Sequence, residues 1–218
     1  MGQNGSSQSE GGREKPPLSK QATAFIDIGT GNGSMLFALR KEGWNGEMVG
    51  VDYSPASVAL ARRIGVQLDE RRADGDASSS DSSADSEEEP VAMGELASFS
   101  SVKFEEWDIM TASPSSGWMR EGGFDVVLDK GTFDAISLSS ETTSEGERVF
   151  ESYPSKVVKL VKKGGLVLIT SCNWTEEELT QWFTSELELE RVGEVKYPSF
   201  RFGGRTGQSV CSVCFRRR

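Results

Sequence analysis

From Ala24 onward, short apolar runs alternate with stretches whose apolar residues recur every three or four positions. The first period belongs to buried strands and the second to one-sided helices. "AFIDI" (24–28) reads as a strand, and "SMLFALRKEG" (34–43) as a helix that stops at Gly43. "EMVGVD" (47–52) is a second strand, and "SPASVALARRIG" (54–65) a helix capped by Ser54 and opened by Pro55. "SVKFEEWDI" (101–109) and "FDVVLD" (124–129) read as strands three and four. "GERVFESYPSKVVKLV" (146–161) has helical spacing, but Pro154 predicts a kink or a break inside it. "GGLVLITSC" (164–172) is a fifth strand, and "TEEELTQWF" (175–183) a helix with a Thr175/Glu178 capping box. "ELELERVGEVKYP" (186–198) and "QSVCSVCF" (208–215) are two last strands, joined through "SFRFGGRTG" without a helix. Alternation of this kind predicts an α/β fold with a mostly parallel, doubly wound, Rossmann-like sheet. The helix-free pair predicts an antiparallel strand at one edge.

Two segments stand outside this pattern. Residues 1–21, rich in Gly, Ser and Gln, predict a disordered stub. Residues 69 to about 97 are acidic and Ser-rich, too polar to pack, and predict a disordered insertion. The rest, 22–218, is the length of one domain with its own core. Charge follows the same division. Nine acids against Arg71 and Arg72 between Asp69 and Pro90 account for −7 of the net −10, so the folded part is near neutral.

No window has the length and apolarity of a membrane span, and the polar start lacks a signal-peptide core. "MGQNGS" matches a myristoylation pattern through Gly2 and Ser6, yet one acyl chain binds membranes only marginally. Three cysteines suit a reducing compartment, and hence the cytoplasm. Cys211 and Cys214 have half a zinc spacing but sit in a strand, where residues three apart face opposite ways. With no histidine and no second pair, core thiols are expected rather than a metal site.

The strongest chemical signal is "FIDIGTGNGS". Asp27, Gly29, Gly31 and Gly33 close the first strand immediately before a helix, where glycines let backbone turn sharply and approach a ligand. A dinucleotide fingerprint needs its third glycine elsewhere; Ser34 follows Gly33 here. Acidic-x-G-x-G-x-G suits a nucleoside bearing an amino acid better than a pyrophosphate. Asp52, ending the second strand, is placed to accept from two ribose hydroxyls. Asp108, ending the third, is placed to accept from an exocyclic amine, with Trp107 or Ile109 against the ring. A lone strand-end Asp more often caps a helix or a turn. Three such acids downstream of a glycine loop point to a ligand.

These residues together resemble the S-adenosylmethionine-dependent methyltransferases of the seven-β-strand class. "LDKGTFDAISL" (128–138), "TSCNWTEEEL" (170–179) and "FGGRTGQSV" (202–210) narrow the resemblance to the lysine methyltransferases of translation elongation factor 1-alpha. The chain is most similar to the branch called elongation factor methyltransferase 4 in fungi and methyltransferase-like protein 10 in animals, over about 24–215 apart from the insertion. The resemblance implies a seven-stranded class I sheet and S-adenosylmethionine as cofactor. It implies a donor site of Asp27, Gly29, Thr30, Gly31, Gly33, Asp52, Tyr53, Trp107, Asp108, Ile109 and Leu128. Related amino-group methyltransferases carry an Asn/Asp-Pro-Pro-aromatic loop after strand four. "DKGTF" stands in its place, with Asp129 as acceptor for the substrate amine, Phe133 as apolar wall, and Lys130 supporting the loop through an ion pair such as one with Asp134. Asn173 and Trp174 are expected to line the lysine channel from the other side. Members of the family carry a longer helical segment before the glycine loop. The short polar stub here implies a truncated chain or a more open pocket.

The resulting expectation is a cytoplasmic, monomeric protein-lysine N-methyltransferase. Its protein substrate is elongation factor 1-alpha, and it contacts neither nucleic acid nor membrane. Two alternatives share the donor half of the fold: a small-molecule methyltransferase and a non-catalytic binding module.

Overall fold

The computed structural model describes residues 18–75 and 96–218, apart from 143, 145, 186–187, 199, 203–204 and 208, and the side chains of 200–208. The myristoylation match, most of the N-terminal stub and the centre of the acidic insertion lie outside the described residues.

Strands β1 (Phe25–Ile28), β2 (Met48–Asp52), β3 (Lys103–Glu106), β4 (Phe124–Lys130), β5 (Val161–Ser171), β6 (Leu189–Val195) and, last in the chain, β9 (Cys211–Arg217) form one seven-stranded sheet. Their order is β3-β2-β1-β4-β5-β9-β6. β9 runs antiparallel to both β5 and β6, so the reversed strand stands one place in from the edge. Between β6 and β9 lies a separate hairpin of β7 (Phe200–Phe202) and β8 (Arg205–Gly207). The order reverses where β1 is flanked by β2 on one side and β4 on the other. Ligands of open parallel sheets bind above such a point.

Helices cover both faces. Against one face lie α1 (Ser34–Lys41) and α2 (Pro55–Ala73), burying Leu36, Phe37, Val58 and Ala61 with Phe104, Val126 and Leu128. Against the other lie α3 (Thr132–Ser137), α4 (Tyr153–Val158) and α5 (Glu176–Thr184), burying Phe133, Tyr153, Val157, Leu179 and Phe183 with Val127 and Ile169.

Several ends follow the chemistry of their residues. α1 stops on a Schellman turn: Gly43 has φ 85°, Trp44 N–H donates to Leu39 at 3.1 Å, and Gly43 N–H donates to Arg40 at 3.1 Å. Ser54 accepts from Ser57 N–H at 3.3 Å with Pro55 just inside α2. Thr175 and Glu178 form the capping box of α5. The break at Pro154 is realised as a 3₁₀ turn, Val149–Ser152, before α4 begins.

α2 is longer than its sequence pattern suggested. Gly65 is a packing residue rather than a stop: a Cβ there would stand 3.2 Å from the Phe99 carbonyl. One turn on, Asp69 accepts from Phe99 N–H and Ser100 N–H, both at 2.8 Å, and from the Ser98 hydroxyl. Burial pushes the Asp69 carboxyl up, but these donors outweigh it and hold the group at about 2. Asp69 thus ties the far side of the acidic insertion back onto the helix. Asp69→Ala should cost about 1–3 kcal/mol at neutral pH, because two amide donors lose their partner. An acid with a lowered folded pKa stabilises above its unfolded value and loses that effect as pH falls through the folded one. Urea titrations should therefore show the deficit shrinking from about pH 4 towards pH 2.

Candidate active site

The glycine loop closes β1 over the switch point. Gly29 N–H and Thr30 N–H both donate to the Val51 carbonyl, at 2.8 and 3.0 Å, which binds the loop to β2. Gly29 and Gly33 are close-approach positions. A Cβ would lie 2.1 Å from Thr132 Oγ1 at the first and 2.6 Å from Phe104 at the second. Gly31 differs: its φ is 56°, and nothing stands within 4 Å of where a Cβ would be. That open face is the side a ligand would approach.

Asp52 holds the loop from below. Its Oδ2 accepts from Gly31 N–H and its Oδ1 from Ser54 N–H, each at 2.9 Å. An ionised carboxylate has about four acceptor sites, so two remain. Above it opens a cleft of about 240 Å³, lined by Gly29, Asp52, Tyr53, Trp107, Asp108, Ile109, Lys130, Thr132 and Ile136 among others. Its character is an apolar slot with a carboxylate at the base and an exposed aromatic, Tyr53, at the rim. Those features fit a nucleoside with its ribose on Asp52 and its base between Tyr53, Trp107 and Ile109.

β3 ends at Glu106, earlier than its apolar run. Asp108 starts a turn, accepting from Met110 N–H at 2.8 Å and the Thr111 hydroxyl at 2.9 Å. Trp107 is held by an Nε1–H bond to the Ala112 carbonyl at 3.2 Å. Asp27 lies beneath the loop, 4 % exposed, and does not line the cleft. Burial, reinforced by Asp129 and Asp52, raises its carboxyl to about 7.

Three expectations need correction. Leu128 does not wall the donor site: it lies in the core of the opposite sheet face with Leu36 and Val126. Strand alternation requires this, because Leu128 and Asp129 point to opposite sides. Phe133 is no channel wall but the fully buried centre of an aromatic cluster, with ring centroids 5.5 Å from Tyr153, 5.6 Å from Trp174 and 5.3 Å from Phe183. Asp129, 1 % exposed, is turned inward rather than towards a substrate amine. It accepts from Thr132 N–H at 2.8 Å, from Phe133 N–H at 3.2 Å and from the Tyr153 hydroxyl at 2.7 Å. Burial raises Asp129 to about 7, and these donors offset only part of that effect.

Lys130 and Asp134 do not pair. Asp134 is buried and accepts from the Ser171 hydroxyl at 2.5 Å and from Cys172 N–H at 2.8 Å. Ser171 Oγ in turn accepts from Asn173 N–H at 3.1 Å and Trp174 N–H at 2.9 Å. This chain fixes the loop after β5 against α3, and Trp174 Nε1–H closes it by donating to Ser137 Oγ at 3.2 Å. Asn173 is exposed on that loop. Beside it lies a second cleft of about 320 Å³, lined by Cys172, Trp174, Glu176, Glu177 and Val210 among others. Tyr153 and Ser171 were not singled out in the sequence, and Asp134 was expected only as a partner of Lys130. Only the polar positions inside otherwise apolar runs hinted at them.

A glycine loop at the switch point of a sheet ordered β3-β2-β1-β4-β5-β9-β6, with an acid ending β2 under a nucleoside-sized cleft, defines a class I S-adenosylmethionine-dependent methyltransferase. Residues 19–77 match the family model described as a methyltransferase domain. Among solved structures, a TehB-like SAM-dependent methyltransferase from Corynebacterium glutamicum superposes with a TM-score of 0.56 at 14% identity, covering 91% of this chain and 82% of that one. The chain is 37% identical over 192 residues to protein-lysine N-methyltransferase EFM4 of Saccharomyces cerevisiae, covering 88% of this chain and 69% of that protein. It is 34% identical over 205 residues to human EEF1A lysine methyltransferase 2, covering 94% and 69%. The chain belongs to the family of protein-lysine methyltransferases that these two relatives represent.

Proposed function

We propose that the chain transfers a methyl group from S-adenosylmethionine to the ε-amine of a lysine in translation elongation factor 1-alpha, in the cytoplasm. The observation that carries this reading is the 37% identity over 88% of the chain to a protein-lysine methyltransferase. The human relative, an EEF1A lysine methyltransferase, suggests the substrate.

When bound, S-adenosylmethionine supplies an electrophilic methyl group on a sulfonium centre. On this reading Asp52 holds the ribose, Trp107 and Ile109 the base, and Gly29 and Gly31 admit the methionine part. The Asp134–Ser171 bonds bring the Cys172–Trp174 loop beside α3, which lines the donor cleft. On this reading the second cleft, beside that loop, receives the lysine-bearing segment of the substrate. In-line displacement needs a neutral amine, and free lysine titrates at about 10.4. Neutralising it at pH 7 costs about 4–5 kcal/mol. The chain has no histidine, and Asp129 is enclosed, so the proton goes to solvent. Alignment of amine and methyl is then the main source of acceleration.

With labelled donor, folded elongation factor should accept label at least about 100-fold faster than free lysine at equal concentration, by the energy of an extended protein contact. Comparable rates on free lysine or other small amines would favour a small-molecule methyltransferase instead.

A further inference from the structure

We propose that Lys130 is a fixed positive charge that lowers the pKa of the incoming substrate lysine, so that its ε-amine reaches the site neutral. The inference rests on the lysine-methyltransferase reading above.

Lys130 ends β4 in the lining of the donor cleft, opposite Thr170 on β5, whose next residue, Ser171, lines the second cleft. Its neighbour Asp129 is in register with Ile28 on β1, and Lys130 itself with Thr170 on β5. The turn that carries it is tied on both sides. Gly131 N–H donates to the Thr170 carbonyl at 3.0 Å, and Thr132 Oγ1 donates to the Ile28 carbonyl at 2.6 Å. The side chain is exposed and lines the donor cleft. Its charge acts downward on the carboxyl of Asp27 under the glycine loop and on the thiol of Cys172 beside the second cleft, where Asp134 has the larger, upward effect. Among the described residues no carboxylate forms an ion pair with it.

None of the surrounding described acids is drawn onto that charge. Asp134, the nearest in sequence, is turned onto Ser171 and Cys172. Asp27 and Asp129 are held near 7 by burial, so each is protonated for much of the time at neutral pH. Asp52 and Asp108 line the donor cleft but accept from their own backbone turns. At the second cleft Glu176 is paired with Arg191 at 2.8 Å, leaving Glu177 at the rim. A like charge about 8 Å away, at an effective dielectric of about 20–30, lowers an ammonium pKa by roughly one unit or slightly more. The step is a plain proton transfer: the substrate ammonium gives its proton to water or buffer and keeps its lone pair for the methyl carbon. No base from this chain is required.

The test compares pH profiles of kcat, which follow ionisations in the bound complex, for wild type, Lys130→Met and Lys130→Arg at saturating elongation factor and donor. Donor affinity is measured alongside by calorimetry. Lys130→Met should shift the rising limb of kcat about one pH unit upward, giving about tenfold lower kcat at pH 7 and nearly wild-type values at pH 10. Lys130→Arg should keep the wild-type profile, and donor Kd should stay within about threefold in both. A readout independent of turnover is the alkylation rate of Cys172, mapped by mass spectrometry. Its thiol pKa should rise in Lys130→Met because Lys130 now lowers it. A loss equal at every pH would overturn the inference, as would a loss accounted for by weaker donor binding. Wild type that methylates no lysine would instead overturn the underlying reading.

Discussion

Asp52→Ala should weaken binding of S-adenosylmethionine by at least about 100-fold while leaving a folded protein. Two effects combine. The variant loses the acceptor for the ribose hydroxyls, and hydrogen bonds to a charged group are worth about 1.5–3 kcal/mol each. It also releases Gly31 N–H and Ser54 N–H, the bonds that hold the glycine loop and the entry of α2 in place. The first effect acts on the bound state, and the second removes the preorganisation that makes binding cheap. Asp52→Asn separates them, because its amide oxygen can still take one of the backbone donors. It should bind more tightly than Ala and less tightly than wild type. Calorimetry with donor, beside a thermal melt of each variant, makes the comparison. Wild-type affinity in Asp52→Ala would place the donor outside this cleft.

Asp129→Ala should be the most destabilising single change at the site, by about 3–5 kcal/mol, and turnover should fall with it. The carboxylate is enclosed, and its removal strands the hydroxyl of fully buried Tyr153 and the first two amides of α3. Each buried group left without a partner costs about 1–3 kcal/mol. Tyr153→Phe removes one donor and leaves the helix cap intact, so it should cost less, about 1–2 kcal/mol. The pH dependence carries a sign. Asp27 and Asp129 titrate near 7 in the fold against 3.8 as the reference value. Between those values the folded state binds more protons, so stability falls as pH rises from about 4 to 7. Asp129→Asn should flatten that decline. Chemical denaturation across the range reads both effects, and a steeper decline in the Asn variant would contradict the assignment.

The parts of the fold that were legible in the sequence are those where one local signal decides the structure. Gly43, Ser54 with Pro55, and Thr175 with Glu178 mark helix ends through backbone conformation and local capping bonds alone. The glycine loop and Asp52 were legible because tight turns at a strand end admit few residues. Asp129 was not, since a strand-end carboxylate either faces a ligand or caps the next helix, and only its enclosure by Tyr153 on α4 decides. Gly65 misled for a related reason: a glycine inside a helical pattern can stop it or let a neighbour approach, here Phe99. Leu128 was within reach of the sequence. The alternation of Val127 and Leu128 along β4 places one on each sheet face. The partner of Asp134 lay beyond it, because Ser171 meets Asp134 only after β5 is laid beside β4.

Methyl transfer to a lysine of elongation factor 1-alpha depends, on the proposed function, on a donor seated on Asp52. The most direct measurement is peptide-level mass spectrometry of purified elongation factor after incubation with S-adenosylmethionine and either wild type or Asp52→Ala. The account predicts methylation of a discrete lysine by wild type, with at most a trace from the variant at the same donor concentration. Elongation factor left unmodified by a wild type that binds donor would contradict it, as would equal methylation by both proteins.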